Sequence, residues 1–194
     1  MRELTEEQME TRRRAGADAR DEMWDGVLHV APDAGSRHQR LIWELILWLG
    51  THWAGREGRS GRPGGNVAPA GVGDWSRDYR VPDLSLWTPQ SQHVDRGAWF
   101  EGAPEVCVEI RSPDDESYAK IGTYLDWGAR EVWIIDRDSC AAEIFVRGDV
   151  EPVERRGDSA DGWVTSAFGI RMRGRDGRLE IELVDDPATR ACLS

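Results

Sequence analysis

Of the 25 lysines and arginines in this chain of 194 residues, Lys120 is the only lysine. Two acids precede it in segments that read as strands: Asp83, directly after Pro82 in YRVPDLSLW, and Glu109, in PEVCVEIRS. An ammonium is a compact, strongly hydrated point charge with a movable pKa, whereas guanidinium stays charged and forks its donors in a plane. If the strands carrying Asp83 and Glu109 are neighbours, their carboxylates converge at one sheet edge and can hold a hard divalent cation through oxygen. Such a cation lowers the pKa of a bound water and neutralises charge building on a phosphoryl group. Lys120 would then orient or help deprotonate that water, or balance the developing negative charge. Taken singly, each residue has a plainer account: an Asp beside Pro at a turn or edge, a solvated strand Glu, a surface Lys.

The elements that must bring these groups together are partly written in the pattern. Residues 79–87 alternate in the strand manner, and Pro82 biases Val81 to an extended backbone. Residues 104–112 set Val106, Val108 and Ile110 on one side and Glu105, Cys107, Glu109 and Arg111 on the other. Ser112-Pro113-Asp114-Asp115 predicts a helix start, with Ser as N-cap, Pro in the first position and acids in the first turn. Gly128 suits the C′ position of that helix. EVWIID reads as an interior strand and AAEIFVRG as its partner.

Around this centre, Thr5 and Gln8 form a capping box for an exposed first helix reaching Ala15, an adapter rather than core. The segment 22–30 reads as a hairpin turning at Asp25-Gly26. Ser36 is expected to cap a helix whose Leu41, Ile42, Leu45, Ile46 and Leu49 share one apolar face. Residues 55–79 read as loops around one weak strand near 66–68, with Gly71-Val72-Gly73 a turn rather than a dinucleotide fingerprint, for want of strand-to-helix context. The tail, 151–184, predicts two or three short antiparallel strands. No repeat appears. The order predicts one α/β or α+β domain with a mixed sheet flanked by helices: an adapter helix over 1–18, a core over 20–147 and C-terminal strands over 148–194.

The formal net charge of −11, from 36 acids against 25 bases, argues against a broad, unspecific nucleic-acid binder. Clustered arginines (12–14, 155–156, and 171, 173, 175 and 178) read first as solvated faces, with a local basic strip as the second reading. Cys107, Cys140 and Cys192 are odd in number and far apart, which speaks against a disulfide framework or structural zinc and fits a reducing cytoplasm. No secretory signal is visible, and residues 41–49 are too short and too interrupted to cross a bilayer, so the chain is expected to be soluble. The ten tryptophans are scattered and read as packing residues. His29, His52 and His93 have no metal-ligand spacing, and there is no G-x-S-x-G, Walker loop or Cys-His pattern.

Several of these motifs occur together in a known order. Glu22-Met23-Trp24-Asp25-Gly26, His38 opening a helix, Val81-Pro82-Asp83, Val108 to Pro113, Lys120 with Tyr124, Gly128, and Glu131 to Asp136 resemble the Uma-type "putative endonuclease" family. That family is a bacterial branch of the PD-(D/E)xK nuclease superfamily, and the resemblance runs from about Glu22 to Phe145. It implies a restriction-endonuclease-like fold and a metal-dependent nuclease, with DNA as substrate and Mg²⁺ or Mn²⁺ as cofactor. Asp83 and Glu109 would be the metal-binding acids, helped by the backbone carbonyl of Ile110, and Lys120 the catalytic lysine. In many relatives the lysine lies two residues after the Glu, where this chain has Arg111; here it has moved to the following helix. Glu22, His38 and Tyr124 also match family positions, as accessory residues that approach the metal, line the cleft as a neutral imidazole, or wall it one turn beyond Lys120. With so acidic a chain, DNA binding would rely on the metal, a local Arg strip or a groove built by a homodimer through exposed strand edges. A non-catalytic nuclease-fold module for binding or assembly is the alternative.

Overall fold

The computed structural model describes residues 5–16, 18–31, 35–91, 93–113, 115–149 and 151–194. In chain order its elements are α1 (Glu6–Ala15), β1 (Glu22–Trp24), β2 (Val27–His29), α2 (Ser36–His52), β3 (Ser60–Pro63), β4 (Val67–Ala68), β5 (Leu84–Trp87), β6 (Val94–Asp95), β7 (Phe100–Glu101) and β8 (Val106–Arg111). They continue with α3 (Ile121–Asp126), β9 (Glu131–Asp136), β10 (Ala142–Val146), β11 (Glu154–Arg155), β12 (Val164–Thr165), β13 (Ile170–Arg175), β14 (Arg178–Leu183) and β15 (Ala191–Leu193).

The central sheet has six strands in the order β11-β10-β9-β8-β5-β3. It is mixed: β8 and β9 are parallel, and the other neighbours are antiparallel. Parallel strands need a crossover, and α3 supplies it. A four-stranded antiparallel sheet, β12-β13-β14-β15, a three-stranded one, β4-β7-β6, and the β1-β2 hairpin complete the described elements.

The two faces of the central sheet carry different cores. Val106, Val108 and Ile110, with Trp133 and Ile135, pack with Leu41, Leu45 and Leu49 of α2 and with Ile170, Met172 and Ile181 of the C-terminal sheet. Cys107, Val132 and Ile134 pack with Ile121, Tyr124 and Leu125 of α3. Burial on both faces explains why β8 and β9 read as nearly continuous apolar runs. It also turns Glu109, which shares a side with Cys107, toward α3. No helix among the described residues is long and apolar enough to cross a membrane.

Several expectations change. Gly35, not Ser36, is the N-cap of α2 and offers no side-chain cap bond. Three leucines that are almost fully buried, at about 1.5–3 kcal/mol each, outweigh a missing cap worth about 1 kcal/mol. No helix begins at Ser112. The Asp115 side chain accepts from the backbone N–H of both Ser112 and Ser117, which diverts the chain into a 3-10 turn over Ser117–Lys120 before α3 starts. Asp114 lies outside the described residues. Gly128 does follow α3 in a positive-φ conformation, at 110°. The 55–79 loops contain an additional edge strand, β3, where the Pro63 ring is tolerated at the end of the ladder, and residues 79–87 split at Pro82, so that Asp83 precedes β5 rather than lying in it.

Candidate active site

The register of β5 on β8 decides the centre of the site. Leu84 faces Val108, so one step further along the same antiparallel ladder sets Asp83 beside Glu109. Asp83 is bound to β8 directly: the backbone N–H of Ile110 donates to its Oδ2 at 2.8 Å. Its Oδ1 takes His38 Nε2 at 3.0 Å and Arg20 Nη1 at 3.0 Å. His38, buried at the start of α2, has its other ring nitrogen 3.4 Å from Ser112 Oγ, so the imidazole spans the gap between Asp83 and the end of β8.

Glu109 is buried and fully engaged. Lys120 Nζ lies 3.1 Å and 3.2 Å from its two oxygens, and Tyr124 donates its hydroxyl at 2.7 Å. Lys120 stands at the end of the 3-10 turn rather than within a helix, yet it and Tyr124 converge on one carboxylate as their spacing of four predicts. The same ammonium reaches Glu22 Oε1 at 2.8 Å. Glu22 arrives on the hairpin, whose Asp25 and Gly26 both have positive φ, 49° and 83°, the mirror-image turn that matches strand twist. Met23 pairs with Tyr79, which seats the hairpin on the segment leading to Asp83. Glu22 then accepts from Val81 N–H at 2.8 Å and from Trp24 Nε1 at 2.7 Å.

The six side chains singled out from the sequence therefore come together, Asp83, Glu109, Lys120, Glu22, His38 and Tyr124, with the backbone of Ile110 beside Asp83. Arg20 was not among them. Its one sequence signal is a two-residue spacing from Glu22, faint because Arg20 lies in a turn outside β1.

The electrostatics follow from packing three carboxylates out of water. Burial pushes the pKa of Glu109 upward, against the pull of Lys120, and the negative charges of Asp83 and Glu22 push it the same way. Burial works against the Lys120 ammonium, but Glu109, Glu22 and Asp83 outweigh it and raise its pKa, so it stays protonated. Burial and the Glu109 charge hold the Tyr124 hydroxyl protonated and donating. Among the described residues no group of three or more His, Cys, Asp or Glu side chains is arranged to hold a metal ion.

The mixed central sheet with α2 and α3 packed against it defines a restriction-endonuclease-like fold class. The family model described as "Uma2: Putative restriction endonuclease" matches residues 6–171, and the chain belongs to that family. Among solved structures, the fold is similar to that of "a putative nuclease belonging to DUF820 from Anabaena variabilis ATCC 29413". The likeness has a TM-score of 0.57 and 20% identity, covering 76% of this chain and 82% of the other. No match was found among curated proteins.

Proposed function

We propose that this chain is a divalent-metal-dependent endonuclease that hydrolyses phosphodiester bonds, with DNA as its substrate. The single observation that carries this reading is the convergence of the chain's only lysine with Asp83 and Glu109 at the end of two paired strands. The donors fit a hard cation: the carboxylates of Asp83 and Glu109, and the carbonyl of Ile110, which lies on the same side of β8 as the N–H given to Asp83 and beyond the last β5 pair. Mg²⁺ usually keeps several waters and takes one or two carboxylates, so the lack of a three-side-chain cluster does not weigh against it. Once bound, Mg²⁺ or Mn²⁺ would supply an activated water and neutralise charge on the phosphoryl oxygens.

The chain's own residues do the positioning. Lys120, protonated and fixed by two carboxylates, acts as a cation that orients the nucleophile and balances developing negative charge, rather than as the base. Tyr124 and Glu22 hold Glu109 and Lys120 in place, and His38 holds Asp83. Cleavage assays on a panel of single-stranded, double-stranded and structured DNA and RNA, with Mg²⁺ or Mn²⁺ and with EDTA, test the reading. Cation-dependent cleavage is expected in the wild type and its loss in both Asp83→Ala and Lys120→Ala; unchanged activity in both rejects the assignment.

One observation favours a second reading, a non-catalytic binding or assembly module. Asp83 and Glu109 are already satisfied by protein donors, as they would be in a purely structural cluster. Calorimetry separates the two, since the enzyme requires a divalent-cation site that Glu109→Ala abolishes.

A further inference from the structure

Four side chains hold the two acids of the site, Arg20 and His38 on Asp83 and Lys120 and Tyr124 on Glu109, and solvent reaches them unequally. The His38 side chain is 9% exposed and that of Lys120 14%, while Tyr124 is fully buried. Arg20 is 45% exposed. Its backbone is nevertheless fixed, because the neighbouring Asp21 is buried and accepts from Arg12 Nη2 at 2.6 Å and from Ala31 N–H at 3.0 Å. The guanidinium is thus a solvent-reachable end beside a buried anchor, resting on Asp83 Oδ1 at 3.0 Å.

Asp83 has little room for a further partner, with Ile110 N–H on one oxygen and both His38 and Arg20 on the other. A divalent ion cannot share an oxygen with a guanidinium without strong repulsion. His38 is wedged between Asp83 and Ser112, and the N–H of Ile110 belongs to the sheet; Arg20 alone can leave without breaking packing. Resting on the metal-dependent reading above, we propose that Arg20 is a removable counter-ion, seated on Asp83 in the cation-free chain and transferred to a substrate phosphate when a cation takes its place. Guanidinium is suited to both seats, since its planar fork matches carboxylate and phosphate alike.

Calorimetric titration of Mn²⁺ into wild type, Arg20→Ala, Arg20→Gln and Asp83→Ala tests the first half. Both Arg20 variants are expected to bind Mn²⁺ more tightly, on the order of tenfold, and Asp83→Ala to lose binding. Equal or weaker affinity in the Arg20 variants, with wild type binding and Asp83→Ala not, overturns the counter-ion role and leaves the metal reading standing. No binding by any of the four overturns both. For the second half, fluorescence anisotropy of a labelled DNA duplex is measured in a Lys120→Ala background that removes turnover. Adding Arg20→Ala is expected to weaken duplex binding in Mn²⁺ but not in EDTA; equal loss, or no loss, under the two conditions overturns the transfer to phosphate.

Discussion

Lys120 holds a seat that the chain's other basic residue type could not fill. Its Nζ meets three carboxylate oxygens between 2.8 Å and 3.2 Å, belonging to two side chains that approach from different elements. A tetrahedral ammonium satisfies such an arrangement; a flat guanidinium, larger and forked in one plane, does not. Lys120→Arg, which preserves charge, is therefore expected to lower kcat for cleavage by about 10²-fold or more, with Mn²⁺ affinity retained in calorimetry. Activity near that of wild type would show that charge alone suffices there. This residue was legible because it is chemically singular in its own sequence, and Asp83 and Glu109 because Pro82 and the alternation of β8 fixed their settings. Glu22 was legible as a position but not as a buried carboxylate, because a short hairpin strand hides which face it covers until Met23 pairs with Tyr79. Arg20 was hidden for a different reason: one arginine in an Arg-rich chain carries no signal until the turn that aims it exists.

At the scale of elements, the hairpin, α2, β8 and β9 follow from local chemistry: an Asp-Gly turn, an apolar helical stripe, and two runs buried on both faces. The segment after β8 does not. Ser112, Pro113 and Asp115 carry the signature of a helix start, yet the Asp115 carboxylate takes the N–H of Ser112 and, across the turn, that of Ser117. That second bond competes with helix propagation and leaves Lys120 at the junction of the 3-10 turn and α3. From that junction the ammonium reaches back to Glu109 on the strand it follows. Asp115→Ala leaves both N–H groups without this partner; it should destabilise the fold by about 1–2 kcal/mol in urea unfolding and lower cleavage more than that loss explains, by loosening Lys120. Full activity in a folded Asp115→Ala chain would mean that the turn is held by packing alone. The short strands β3, β6 and β7 were missed because Gly-rich and charged segments carry no period, and pairing there is set by neighbours rather than by propensity.

Across the whole molecule, the arginine clusters serve mainly to balance the chain's own acids. Arg171 lies opposite Glu182 and Arg173 opposite Glu180 in the β13–β14 ladder, each pair joined by an ion pair, and Arg171, Arg173 and Arg190 surround the Trp163 ring. Two members of the run are thus taken up by cross-strand ion pairs, while Arg175 and Arg178 face each other at the end of the same ladder. Glu182 is the most committed of these acids, its side chain fully buried between Arg171 and Arg190. The hydrogen bond from Arg190, reinforced by Arg171 against the opposing effect of burial, lowers its pKa below the ordinary 4.5. Because the folded pKa is depressed, the unfolded chain takes up the proton first as pH falls. The stabilisation from Glu182 is whole above about pH 4.5 and is lost as pH drops through the folded value. Glu182→Gln is accordingly expected to lower the Tm at pH 7 and to reduce the further loss of Tm between pH 5 and pH 3 relative to wild type, since the variant has no carboxylate there to protonate. Parallel Tm profiles for the two chains over that interval would show that Glu182 does not link this sheet to pH, and that acid sensitivity arises from carboxylates elsewhere.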